Sequence, residues 1–367
     1  MPSTSKYYVA DIDAMKVVIQ LLARILMQKK KLIFVVINRK IMKKISLLFL
    51  VIITVFSCEK ATDDGRAVNT NFNHKILDGY QVQSIAFDSK GNAWISTYKQ
   101  GLIKYNPNET IVFDSTNSFI TSKTHLLDIA IDSKDNIWIG SYEGLIKYDW
   151  NSFSCFNSGN SPITRDFIWH IAADSQDNIW ISCVEEVVKY DGTSFVVYPL
   201  TNYMPEGMIH GIAVDKEDNV WLTSSFHIDE CNLIKIVDGN FIVYSKNELG
   251  FSPYYLDGIA VDSKNQPYVV ISYIWGEPKT DQRPQLFTFD GSKSTQIQID
   301  KTSVPSSVMI DNEDNIWTYG FFGFLAVFDG QNWIINKQFH DIGVSAIAQA
   351  PDKHIWVGTW EGIYIND

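Results

Sequence analysis

The chain has 367 residues, 46% hydrophobic and 20% charged, enough apolar material for a large folded core and too much for a disordered chain. Its formal net charge of −11 is unevenly spread: residues 1–58 hold 10 Lys/Arg and 2 Asp/Glu, and the rest holds 21 and 40. A body carrying −19 argues against nucleic acid, which needs basic patches, and against anionic membrane surfaces as partners.

Residues 1–41 contain apolar stretches at 17–27 and 32–37, separated by Lys29-Lys30-Lys31. They precede a segment that reads as a complete signal peptide over 42–57. Met42-Lys43-Lys44 is a basic start, the run from Ile45 to Ile53 is apolar, and Val55-Phe56-Ser57-Cys58 follows. The expectation is that translation starts at Met42 and that 1–41 is not part of the protein. The apolar run is short for a membrane span. Val55-Phe56-Ser57-Cys58 resembles a bacterial lipobox, which implies lipidation of Cys58 after cleavage. Residues 58–70 then form a polar tether. Glu59, Asp63 and Asp64 in it resemble the surface-export signal of Bacteroidetes lipoproteins. The expected location is the outer membrane, on the cell surface or its periplasmic face, with the membrane touched only through the lipid.

The predicted domain occupies 71–367. Asp88-Ser89-Lys90-Gly91-Asn92-Ala93-Trp94 opens a repeat with near-copies ending at Trp138, Trp180, Trp221 and Trp317, and degenerate ones at Tyr268 and Trp356. Anchors recur every 39–49 residues, the period of a propeller or solenoid. In the second copy, Ile129-Ala130-Ile131, Ile137-Trp138-Ile139-Gly140, Leu145-Ile146-Lys147-Tyr148 and Ser152-Phe153-Ser154-Cys155-Phe156 read as four strands separated by turns. No segment after Cys58 has a helical period. Four antiparallel strands make one blade. The fold class is therefore all-β, a seven-bladed β-propeller.

The last copy stops at its third strand, Gly362-Ile363-Tyr364-Ile365. Its fourth strand is expected from Asn71-Phe72-Asn73-His74-Lys75-Ile76, beside Tyr364, closing the last blade with an N-terminal strand and hiding open edges. The Asp/Asn turns admit a calcium reading. They recur in nearly every copy, as a structural device does, and Asp side chains accept backbone N–H groups in tight turns. The Trp anchors read as core between sheets. Cys155, Cys183 and Cys231 have no metal-ligand spacing and read as small buried hydrophobes. No cofactor and no metal is expected.

The blades resemble the two-component regulator propeller repeat. The match runs through Asn136-Ile137-Trp138-Ile139-Gly140-Ser141 with Gly144-Leu145-Ile146-Lys147-Tyr148-Asp149. It recurs at Ile355-Trp356-Val357-Gly358-Thr359 with Gly362-Ile363. It covers about 71–367. Copy five departs with Gln266-Pro267-Tyr268, and copy seven with Ala350 in place of Asp. In that family such propellers often form the periplasmic sensor of hybrid histidine kinases in Bacteroidetes, with glycans as frequent inputs. This chain ends inside the last blade, so the expectation is a free-standing propeller.

In a propeller, the loop entering the innermost strand and the loop between the second and third strands share one face. Just before the innermost strands lie Gln83-Ser84, Leu127-Asp128, Trp169-His170, His210-Gly211, Asp257-Gly258, Ser306-Ser307 and Ser345-Ala346. Four positions after each anchor lie Tyr98, Tyr142, Val184, Ser225, Ser272, Phe321 and Trp360. Blade five adds an insertion over 272–283 with Tyr273 and Trp275. The candidate site is a channel ring of Asp128, Trp169, His170, His210 and Asp257, under an aromatic mouth of Tyr98, Tyr142, Tyr273, Trp275, Phe321 and Trp360. Aromatic faces stack on sugar rings, and carboxylates and imidazoles bond hydroxyls. Exposed aromatic patches also mark protein contacts.

The function expected is binding of a polysaccharide or protein ligand by a monomer, without catalysis. The second reading is a metal-dependent lyase. Streptogramin lyases are similar seven-bladed propellers that use a His and acidic residues with magnesium at the channel mouth. His170 or His210 with Asp128 or Asp257 resembles that set, and Glu185-Glu186 is an extra carboxylate pair. A third is a structural adaptor for an outer-membrane transporter.

Overall fold

In the computed structural model the described residues are 68–201, 207–225, 231–250, 255–271, 285–299, 304–320 and 323–366. The leader, Cys58 and most of the tether lie outside them, as do the insertion with Tyr273 and Trp275, and Phe321.

The repeats fold into seven sheets of four antiparallel strands each, as the spacing of the anchors predicts. Blade 2 is representative. Leu126–Ile131 is innermost, followed outward by Ile137–Ser141, Gly144–Tyr148 and Phe153–Phe156. The one described helix is a single turn, Lys246–Leu249, which the search for a helical period missed because four residues show none. Glu248 Oε2 caps it, accepting Ser245 N at 3.0 Å and the Ser245 hydroxyl.

Each apolar cluster lies between neighbouring blades. Trp138 and Leu145 of blade 2 pack on Ile171, Ile179, Ile181 and Val188 of blade 3. Trp180 packs likewise into blade 4, and Trp221 into blade 5. Burying one such indole removes roughly 200 Å² from water, about 5 kcal/mol as an upper estimate.

The recurring Asp holds that indole in place. Asp88, Asp132, Asp174, Asp215 and Asp311 each accept the Trp Nε1–H six residues later, at 3.0–3.1 Å. Asp132 also accepts Lys134 N, Asn136 N and Asn136 Nδ2 at 2.7–3.0 Å. These oxygens are taken by N–H donors, so the turns are caps and not cation loops. Where the pattern degenerates the anchor loosens: Trp356, with Ala350 in place of the Asp, and Tyr268 are only half-buried.

A second device links blade to blade on the turn side. Ser89 N and Oγ donate to Asp135 at 2.8 and 2.6 Å. Ser133 does the same to Asp177, Ser175 to Asp218, and Ser263 to Asp314. Lys216 N to Asn265 Oδ1 and Asn312 N to Gln349 Oε1 are backbone-only versions. At the seam between blades 7 and 1 the corresponding positions are Pro351, which has no N–H, and Gly91, which has no side-chain acceptor.

The N-terminal segment closes the ring instead. His74–Ile76 pairs antiparallel with Gly362–Ile365, with Lys75 opposite Tyr364. The strand is shorter than the 71–76 expected. Phe72 is 1% exposed and plugs between blades 6 and 7, edge-on to Trp317 and Phe339 at centroid distances of 6.4 and 5.4 Å. Asn336 Nδ2 and Gln338 Nε2 donate to Thr70 O and Phe72 O, both at 2.7 Å.

The cysteines are mixed. Cys183 is buried, and desolvation pushes its thiol pKa well up. Cys155 is only half-buried, with its Sγ 3.4 Å from Glu143 O, so it is not the core residue expected. The Cys231 side chain lies outside the description.

Candidate functional site

The polar ring is built by β-bulges. Register slips occur between Val82 and Ser84, Leu126 and Ile129, Ile209 and Gly211, Leu256 and Ile259, and Val344 and Ala346. Asp128, His210 and Asp257 are therefore inside the innermost strands and not in loops ahead of them, as the sequence suggested. An extra residue in one strand re-aims a side chain that regular pleating would send toward a neighbouring blade. Blade 3 differs: His170 precedes its strand, with N and O paired to Ser182 Oγ at 3.0 and 3.1 Å.

Most of the ring is already bonded within the protein. Asp128 Oδ1 accepts Ser84 Oγ at 2.8 Å and Ile129 N at 2.9 Å, and Oδ2 accepts Ile171 N at 3.1 Å. Its carboxylate thus clamps blades 1, 2 and 3 together. His170 Nδ1 lies 3.8 Å from the same Oδ2. His210 Nε2 is 2.7 Å from Tyr255 Oη. Asp257 O accepts Thr223 Oγ1 at 2.6 Å.

The sequence reading overlooked Tyr319. Two residues after the anchor the other blades carry Ser96, Gly140, Ser182, Thr223, Val270 and Gly358. Blade 6 carries a tyrosine there. Burial pushes the Tyr319 phenol up to about 12, and the carboxylates of Asp128 and Asp257 push the same way. Those residues belong to blades 2 and 5. Tyr319 itself is on the second strand of blade 6, opposite Ser307 of the innermost strand.

Above the ring the aromatics form a connected row. Tyr98 meets His125 edge-on at 4.9 Å, and His125 stacks on Tyr142 at 4.7 Å with the planes 15° apart. Tyr142 meets Phe167 at 4.3 Å, and Phe167 meets Trp169 at 4.7 Å. Tyr98, Tyr142 and Trp169 remain 37%, 41% and 37% exposed. Backbone bonds set the first two over the channel: Tyr98 N donates to Gln81 O, and Tyr142 N to Thr124 O, just before each innermost strand. Trp360 N donates to Gly343 O in the same way, and its ring is 54% exposed on blade 7. Trp169, predicted as a ring residue, belongs to this row.

His125 and Phe167 were missed because they lie just upstream of the polar ring, in loops the two position rules skip. Both carry a signal, an aromatic or imidazole ring within four residues of a ring position. His125 has φ 45°, and its Nδ1 is buried with no hydrogen-bond partner. Glu186 is buried and accepts Thr164 N at 3.0 Å, so Glu185-Glu186 is not a converging carboxylate pair. Among the described residues no three His, Cys, Asp or Glu side chains converge as metal ligands would. None of the described helices is long and apolar enough to cross a membrane.

No protein-family model matches the chain, and no curated protein matches it. Solved structures do. Virginiamycin B lyase from Staphylococcus aureus superposes with a TM-score of 0.65 at 11% identity, over 81% of this chain and 97% of that one. A structure of YCF48 bound to D1 peptide gives 0.62 at 10%, over 80% and 95%. The extracellular domain of a putative hybrid two-component system from B. thetaiotaomicron gives 0.60 at 18%, over 79% of this chain and 40% of that one. What this chain shares with them is the fold: an all-β propeller, here with seven four-stranded blades.

Proposed function

We propose that this propeller is a non-catalytic binding protein that takes a glycan or protein ligand on the channel face of blades 1–3. The observation that carries the reading is the row Tyr98–His125–Tyr142–Phe167–Trp169, in which each ring contacts the next and three stay exposed. Exposed rings that touch one another in a contiguous patch mark an interaction surface, where scattered ones would not. The polar groups beside them offer hydroxyl-bonding partners at the channel mouth. The resemblance to sensor propellers, and the fold shared with an extracellular domain of a Bacteroides protein, support an exported binding role.

The lyase reading draws on the fold shared with virginiamycin B lyase and on the Asp128–His170 approach. The three protein donors on Asp128 favour a clamp over a metal ligand. We further propose attachment to the outer membrane through lipidated Cys58. Mass spectrometry of the mature N-terminal peptide tests it: a diacylglyceryl-cysteine at 58 supports it, and an unmodified Cys58 overturns it.

Affinity gel electrophoresis of the full chain in detergent through soluble plant, algal and host polysaccharides tests the binding role. Retardation that Tyr142→Ala abolishes supports a glycan site. Free migration through all of them, together with stable co-purification of a barrel protein, moves the row to a protein contact.

A further inference from the structure

The row carries cations as well as rings. Lys99 follows Tyr98, Lys123 stands two residues before His125, and Arg165 two residues before Phe167. All three are exposed, on a chain whose formal charge is −11. Among the described residues none has a carboxylate within salt-bridge distance, and Lys99 Nζ instead sits 4.7 Å from the Tyr98 ring centroid. The carboxylates on the same loops are Glu143, Asp166 and Glu185. Glu143 Oε2 accepts Thr124 Oγ1 at 3.1 Å, and Asp166 Oδ1 accepts Ser158 N at 2.8 Å. Glu143 and Asp166 thus each hold a protein donor, although Glu143 stays exposed, while the three bases are exposed with no carboxylate in salt-bridge range among the described residues. At physiological salt charges more than about 8 Å away are screened, so these local groups decide what docks.

We infer that the ligand is an anionic glycan, with pyranose rings on Tyr98, Tyr142 and Trp169 and carboxylate or sulfate groups on Lys99, Lys123 and Arg165. This rests on the row being the ligand site. Two independent features converge on it. Exposed rings in contact suit the C–H faces of a sugar chain, and unpaired cations beside those rings suit one charge per sugar or two. The orphaned His125 Nδ1 at the centre of the row is one further polar atom without a partner among the described residues. A nucleic acid needs a longer basic groove along its phosphates than three cations supply. Binding therefore runs across blades 1–3, and Trp360 is peripheral to it.

The test titrates the full chain in detergent with matched probes: oligogalacturonate against its methyl ester, and dextran sulfate against dextran. A single-stranded oligonucleotide of equal charge is the control. At low salt the charged member of a pair binds at least tenfold tighter than its neutral partner, and 0.5 M NaCl narrows the gap. The triple variant Lys99→Gln, Lys123→Gln, Arg165→Gln loses about tenfold for the charged probe only, as three exposed pairs are expected to contribute. All three side chains are exposed, so its melting temperature stays put. Equal binding of a neutral partner overturns the inference and leaves the glycan site standing. No binding of any probe overturns both. An oligonucleotide bound as tightly as the charged glycan also overturns the inference, because the row would then read charge alone.

Discussion

Removing the Phe72 side chain tests how this ring is closed. The ring is 1% exposed, sits edge-on to Trp317 and Phe339, and belongs to the cluster with Leu325, Val327, Val344 and Val357. Phe72→Ala leaves a cavity between blades 6 and 7, which costs about 3–5 kcal/mol. For a domain of this size each kcal/mol lowers Tm by roughly 2 °C, so the expected drop is about 6–10 °C. Thermal unfolding followed by circular dichroism measures it, with exposed Val196→Ala as the control. The deletion of 71–76 is expected to exceed it, because the strand pairing with Tyr364 is lost as well. A Phe72→Ala Tm within 1 °C of the parent would show that the strap is ornamental and that the blade closes without it.

Asp132→Ala leaves four N–H donors without their acceptor, including the buried Trp138 indole, and is expected to cost about 2–4 kcal/mol in chemical denaturation. The blade-to-blade latches predict an acid response. Hydrogen bonds from Ser89, Ser133, Ser175 and Ser263 hold the carboxyls of Asp135, Asp177, Asp218 and Asp314 below the ordinary 3.8. The folded values lie below the unfolded ones, so this stability is complete above about pH 4 and drains away as pH falls through the folded values. Replacing Asp135, Asp177, Asp218 and Asp314 with Asn removes the titrating groups and should flatten the loss of Tm below about pH 4; parallel curves would rule the latches out as its source. Tyr142→Ala is expected to weaken ligand tenfold or more while Trp360→Ala changes it less than threefold, both read by titration at unchanged fold.

The fold was legible because one turn repeats in phase. Asp88 and its copies cap an indole that must be buried, so the motif marks each blade. The open third strand at Gly362–Ile365 pointed to the N-terminal closure. The broken places were legible too: Ala350 and Gln266-Pro267-Tyr268 mark half-buried anchors. The site was legible only in part. Counting from the anchors found Tyr98, Tyr142 and Trp360, because those positions are fixed by the hairpin. It could not find His125 or Phe167, whose loops vary in length. It also read Asp128 as a ligand-binding ring residue, where its carboxylate bonds Ser84, Ile129 and Ile171 across three blades. Tyr319 was visible as the exception at a position otherwise small or aliphatic.

The central claim is that the row on blades 1–3 is the ligand site and that no turnover occurs there. Calorimetric titration of the full chain and of Tyr142→Ala with Phe167→Ala, against oligogalacturonate with and without magnesium, addresses it most directly. The account predicts saturable heat from the parent, the same with magnesium, and none from the double variant. Undiminished heat from the double variant, or slow continuing heat that appears only with magnesium, would contradict it.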